Sequence, residues 1–379
     1  MEMSIYLYVL LTGRYAGDSI GANVTISDEK LLLVLLITIL PYWILYKFIS
    51  SIKLNKKYLI NINSIVIKII IISGLLSIFF TLEYGSGIVS KGLYSASFAI
   101  IPFIVITNRL DLQIIGLLLI YSSNIRIYNR LLWFEILSLS LLRSSFQSIG
   151  FFIMNVVGKI KSYTLFIIIL LFFAAEYKFG VFTNLINALY SYRDSLRGAG
   201  YESNLSGFDL IVGKCVARMS NFSNIAIIFE NYDAFILAAN KIGFYDYLID
   251  AMQYIWGSFY NVSLPSIQSI YTETLDPSSN GEYGMSPSLS GVLLMSYLNG
   301  VDLMAFNILI YFISVYGICK LAMKFAGVNA REYTYLLLIT DLSGLSSYNY
   351  KILFTLLIFT ISVIFFKNFF RKINPSKVS

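Results

Sequence analysis

Residues 31–40 read LLLVLLITIL, with Thr38 as the only polar side chain, and residues 65–76 read IVIKIIIISGLL, interrupted by Lys68. A strand of a membrane barrel alternates lipid-facing apolar residues with lumen-facing polar ones, whereas unbroken apolar runs belong to helices. Working outward, apolar stretches approach the roughly 20 residues that a crossing helix needs at 31–50, 64–82 and 163–178. Less apolar stretches follow the same pattern at 93–108, 112–125, 141–158, 302–319, 334–347 and 351–367. With the short run Ser4 to Leu11, these predict an all-α polytopic integral membrane protein with a bundle of about 9–11 transmembrane helices. The composition agrees, because 13% charged residues is about half of what a soluble chain carries. Met1 to Leu11 lacks a basic n-region, and no small-residue cleavage site precedes the next apolar run, so no cleavable signal peptide is expected.

Orientation follows from basic residues in short connections, which stay on the cytoplasmic side. Four clusters matter: Lys53, Lys56 and Lys57; Lys159 and Lys161; Lys320, Lys324 and Arg331; and Lys367, Arg371, Lys372 and Lys377. Threading the spans in order puts all four on one side, while Arg126 and Arg130 fall on the other. The same threading divides the chain into an N-terminal bundle at 1–178, a large outer loop at 179–287 and C-terminal helices at 288–379. Loops beyond about 15 residues are usually functional or disordered. This one carries Trp256 and ten tyrosines, and apolar residues recur at helical spacing, as at Ile211, Cys215 and Met219 or at Ile225, Ile228 and Phe229. It is expected to fold as amphipathic helices over the outer mouth of the bundle. The loop holds five basic and ten acidic residues, a net of −5 against +7 for the whole chain. The basic excess therefore reflects membrane topology and is not a nucleic-acid footprint.

The chain contains no histidine, which excludes Ser-His-Asp and Cys-His nucleophiles, HExxH zinc sites and any imidazole base. Cys215 and Cys319 are far apart and form no CxxC pair, and no cofactor or metal is expected. Chemistry must rest on carboxylates, Lys, Arg and Tyr. Arg193 and Arg197 are four residues apart, as are Lys214 and Arg218, so on a helix each pair shares a face. Such a face binds phosphate oxygens as a bidentate clamp, or is a solvated or headgroup-facing side paired with Asp194, Glu202 and Asp209. Arg143 lies in LLRSSFQSI, residues 141–149. A cation there faces the bundle interior with a partner, or snorkels to the interface.

Among the acids, Glu282 is set in Gly281-Glu282-Tyr283-Gly284-Met285-Ser286-Pro287-Ser288, where Ser286 and Pro287 have the pattern of a helix start. Free N–H groups at that end would attract an anion, or the motif is simply a turn and a cap. Asp233, Glu230, Asp246 and Asp250 are further candidate bases. Asp246 and Asp250 share a face beside Tyr247 and Tyr254, which suits sugar rings or any wet amphipathic helix. Tyr42, Tyr46, Tyr84 and Tyr94 read as an aromatic belt.

The arrangement resembles the Wzy-type oligosaccharide repeat-unit polymerases, the O-antigen polymerases. The resemblance rests on LLRSSFQSI with its embedded arginine, on the single large outer loop with Arg193, Arg197 and Arg218, and on Gly-Glu-x-Gly-x-Ser-Pro-Ser-Leu-x-Gly from Gly281 to Gly291. It implies a bundle like that of the C-type glycosyltransferases in the bacterial inner membrane, with its active site on the periplasmic face. It further implies metal-independent joining of undecaprenyl-diphosphate-linked oligosaccharides, donor and acceptor both being lipid-linked, with a chain-length regulator membrane protein as a further partner. On this resemblance Glu282 and Asp233 are the expected catalytic residues. Arg143, Arg193, Arg197, Arg218 and Lys214 would bind diphosphate, and Tyr247, Tyr254 and Trp256 the glycan. The related O-antigen ligases typically use a loop histidine, absent here. A lipid-linked oligosaccharide flippase would also be basic, apolar and helical, but tends to have more spans and short loops.

Overall fold

The computed structural model describes residues 2–15, 23–53, 59–60, 62, 64–84, 112–122, 128–142, 221–241, 288–340 and 347–373, with isolated positions at 163–188 and 270–274. The protein is an all-α membrane protein. Its described helices are α1 (Glu2–Thr12), α2 (Asp28–Ser51), α3 (Ser64–Tyr84), α4 (Leu112–Tyr121), α5 (Asn129–Leu142), α6 (Asn221–Glu230), α7 (Tyr232–Ala239), α8 (Ser288–Asn299), α9 (Val301–Ala326), α10 (Ala330–Thr340) and α11 (Ser347–Ile373). Among the described residues there is no strand, only an isolated bridge between Arg14 and Asn23. Helix α2, helix α3 and the run Val301–Leu338 are long and apolar enough to cross a membrane, and Ile352–Asn368 within α11 is a shorter apolar stretch. They leave large apolar side chains uncovered, such as Leu36 and Trp43 on α2, Ile72 and Leu82 on α3, and Phe365 on α11. In water such exposure would oppose folding; against lipid it costs nothing.

Two compact units form. The first draws on Met1–Lys53, Val212–Lys320 and Asp341–Leu353, the second on Leu54–Ile211, Leu321–Thr340 and Phe354–Ser379. In the first unit α2 packs with α1, α6 and α8, and α8 also packs with α6 and α7. Pro41 lies inside α2, where it removes one intrahelical hydrogen bond. Ser290 of α8 donates to the Thr38 carbonyl (3.4 Å) in the turn that the proline loosens. At the C-terminal end of α2, Lys320 of α9 donates to the Lys53 carbonyl (2.8 Å), so two of the basic clusters meet at one end of the unit.

In the second unit α3 packs on α5, α5 on α4, and α4 on α10. Tyr333 of α10 donates to the Ile114 carbonyl of α4 (3.0 Å), and Asn329 Nδ2 donates to the Tyr121 carbonyl (3.2 Å). Tyr333 is fully buried, and its bond gives the hydroxyl a partner where water is absent. Two glycines set the spacing: a Cβ at Gly74 would meet the Glu135 carboxyl, Oε2 at 2.5 Å, and one at Gly116 would meet Ile136 Cδ1 at 2.9 Å. Small residues of this kind let membrane helices approach closely. Gly74→Leu should therefore cost about 1–3 kcal/mol through overpacking, read as a lower thermal unfolding midpoint in detergent. An unchanged midpoint would mean that α3 and α5 are not packed at this position.

The spans at 31–50, 64–82 and 351–367 coincide with α2, α3 and part of α11, but two other regions differ. Helix α4 stops at Tyr121, and α5 occupies residues 129–142, which the sequence pattern had left between two spans. Leu132, Ile136 and Leu139 recur on one buried face, and this outweighs the charges of Arg130 and Glu135. Helix α9 continues past 319 to Ala326, so Lys320 and Lys324 lie within it instead of in a connection. The chain turns at Gly327 (φ 59°), a conformation that glycine adopts without strain, before α10 begins. A single straight helix over Val301–Leu338 would be about 57 Å long at 1.5 Å per residue, far beyond the bilayer core, so a break there is required.

Candidate functional site

Of the residues singled out in the sequence, Asp233 lies within the described structure. Arg143, Arg193, Arg197, Lys214, Arg218, Tyr247, Tyr254, Trp256 and Glu282 lie outside the described residues. The geometry on hand is therefore that of α6, α7 and the N-terminal segment.

Helix α6 reads NFSNIAIIFE, with no charge before Glu230 and apolar residues on more than one face. Residues 221–228 are all buried, against Ile5, Val9, Tyr15, Leu31, Val34 and Leu35 on one side and Met295 on another. The amphipathic helix expected at Ile225, Ile228 and Phe229, with one wet face over the mouth, is thus corrected: α6 is inserted beside α2. Tyr42 is also not a simple belt residue, since Asn221 Nδ2 donates to its hydroxyl (2.9 Å).

Both ends of α6 are held by carboxylates. At its start the Phe222 N–H donates to Glu2 Oε2 (3.1 Å), supplying one of the acceptors that the first turn of a helix lacks. At its end Glu230 Oε1 accepts from the Thr25 hydroxyl (2.6 Å) and also from the Thr25 N–H. Tyr15 is 1% exposed, and its hydroxyl lies beside Glu230. Burial, and then the neighbouring Glu230 charge, push that hydroxyl far above its ordinary pKa, so Tyr15 stays neutral. The segment 13–27 is in this way tied to residue 230, more than 200 positions away.

Asp233 stands in the first turn of α7, where a carboxylate suits the helix N-terminus, and it is exposed. The opposite face of α7, with Phe235 and Ala239, packs against α8. The two carboxylates thus differ in availability. Glu230 is engaged as an anchor, whereas the Asp233 side chain is exposed. Among the described residues no three acidic or cysteine side chains group as metal ligands. Glu230→Ala removes the acceptor of two charge-assisted bonds, worth about 1.5–3 kcal/mol each at full strength. Faster hydrogen exchange at residues 23–27 and 221–230 is expected, and unchanged exchange there would show that the anchor is dispensable.

The sequence reading did not single out Glu2, Tyr15, Thr25 or Glu135, and only Glu135 left a signal, as an acid inside the apolar run LLWFEIL of residues 131–137. No protein-family model, no curated protein and no solved structure matches this chain.

Proposed function

We propose that the chain polymerises undecaprenyl-diphosphate-linked oligosaccharide repeat units at the periplasmic face of a bacterial inner membrane. The observation that carries this reading is a pair of stretches in a histidine-free helical membrane chain. LLRSSFQSI precedes, and Gly281 to Gly291 ends, a long inter-span segment. Its described part, α6 and α7, is packed against α2 and α8. A short-loop transporter has no use for such a segment.

Sidedness is supported by where α6 sits on α2. It runs along α2 from the Leu31 end as far as Tyr42, while Lys53 and Lys320 gather at the other end. Basic clusters favour the cytoplasm, so α6 belongs to the opposite side. A cysteine introduced at Asp276 should accordingly react with a membrane-impermeant thiol reagent in intact spheroplasts. Labelling only after lysis would reverse the orientation.

In the reaction, a hydroxyl of one lipid-linked glycan attacks the anomeric carbon of another. The bond from that carbon to the lipid diphosphate breaks, and the diphosphate leaves with the electron pair. Arginines placed against the developing charge lower the barrier without a metal, and a carboxylate takes the hydroxyl proton. The purified chain with short lipid-linked glycan and no nucleotide should yield longer polymer. If it only moves the same glycan across a vesicle membrane, the flippase reading replaces this one.

A further inference from the structure

Glu135 presents an unusual setting for an acid. The residue is 5% exposed, and its Oε1 has no hydrogen-bond partner. Its carboxyl rests on Gly74, so closely that a Cβ there would displace it. Gly74 is the midpoint of α3, whose 21 residues span about 31 Å at 1.5 Å per residue, matching a hydrocarbon core of about 30 Å. A bilayer centred on α3 would therefore have the carboxyl at its middle.

The elements packed around it offer no counter-charge among the described residues. On α3 the ionisable groups are Lys68 and Glu83, both exposed, and the half-buried Tyr84; on α5 there is Arg130, also exposed; α4 contributes only Tyr121. What the interface does offer is hydroxyl oxygen. Ser77 and Thr81 follow Gly74 along the same buried face of α3, and Ser140 lies further along α5, accepting from Gln113 Nε2 (3.3 Å). An ionised carboxylate buried without a partner is prohibitively costly, and an intramembrane acid normally marks an ion or proton site.

We propose that Glu135 is an intramembrane binding site for a small monovalent cation, a proton or a sodium ion, enclosed between α3 and α5. When loaded, the carboxyl is neutralised and the two helices close over Gly74. When unloaded, the bare charge must draw in water or force the interface open. The site thus couples ion occupancy to the packing of this helix pair, and it does so whether or not the chain is a polymerase.

The test uses the full chain in liposomes, treated with the apolar reagent dicyclohexylcarbodiimide, which attacks protonated carboxyls in apolar surroundings. The adduct at Glu135 is read by peptide mass between about pH 6 and pH 8, with sodium or potassium as the salt. Modification at Glu135 is expected in potassium. A proton site shows several-fold less adduct as the pH rises and no difference between the salts; a sodium site shows several-fold slower modification in sodium at fixed pH. The infrared difference between the wild type and Glu135→Gln gives a second readout, with the carbonyl band of a protonated carboxyl present in the wild type without sodium. Ionised carboxylate bands across the pH range without sodium, together with an unmodified Glu135, would overturn the proposal, because a cation of the protein itself would then be neutralising the acid.

Discussion

Replacing Arg143, Arg193 or Arg197 by alanine should abolish polymer formation while leaving membrane expression normal. Removing one preorganised donor from a developing oxyanion typically costs about 100- to 1000-fold in rate, and these side chains would face a diphosphate carrying more than one charge. The more discriminating substitution is Arg→Lys. A guanidinium presents two parallel N–H donors to a phosphate, whereas an ammonium is a compact point charge, so lysine should restore little activity. Arg143 has a further constraint, since a cation flanked by Leu141, Leu142 and Ile149 costs about 2.5–3.5 kcal/mol at mid-membrane on insertion scales and is tolerated only with a partner. A lysine there also carries a charge, so a difference between Lys and Arg isolates geometry from electrostatics. Polymer of full length from all three alanine variants would remove the clamp, leaving the Arg193 and Arg197 pair as a solvated face.

Glu282→Gln should assemble and bind lipid-linked glycan yet lose polymerisation by about 100- to 10,000-fold, the range that general-base catalysis supplies. With histidine absent, a carboxylate is the natural proton acceptor, and glycines at 281 and 284 permit close approach of a ligand. Helix α8 is described from Ser288, while Ser286 and Pro287 lie outside the described residues. If Glu282 only supports that helix start, the change should cost on the order of 1 kcal/mol of stability and leave the rate intact. Activity in the Gln variant would transfer attention to Asp233, the exposed carboxylate of α7, and Asp233→Asn should then carry the loss. Glu230 is the weaker successor because Thr25 already occupies it.

The spanning helices were legible because their signal is local. Nine apolar residues out of ten at 31–40 satisfy a bilayer whatever the rest of the chain does, and Ser64–Tyr84 is legible for the same reason. The position of α5 was less so: its composition is mixed, and only packing against α3 and α4 shows that Glu135 belongs inside. The insertion of α6 was illegible for a related reason. Spacing at Ile225, Ile228 and Phe229 indicates a helix but not how many of its faces find a partner.

The sequence by itself determined the helical membrane class and the absence of imidazole chemistry, since each follows from residue content or from runs shorter than one helix. The tertiary structure alone decided that Glu2 and Thr25 hold the two ends of a helix more than 200 residues away, and that Gly74 makes room for the carboxyl of Glu135. Those contacts join positions distant in the chain, and what makes them stable is the exclusion of water from polar groups that then accept whichever partner the fold supplies.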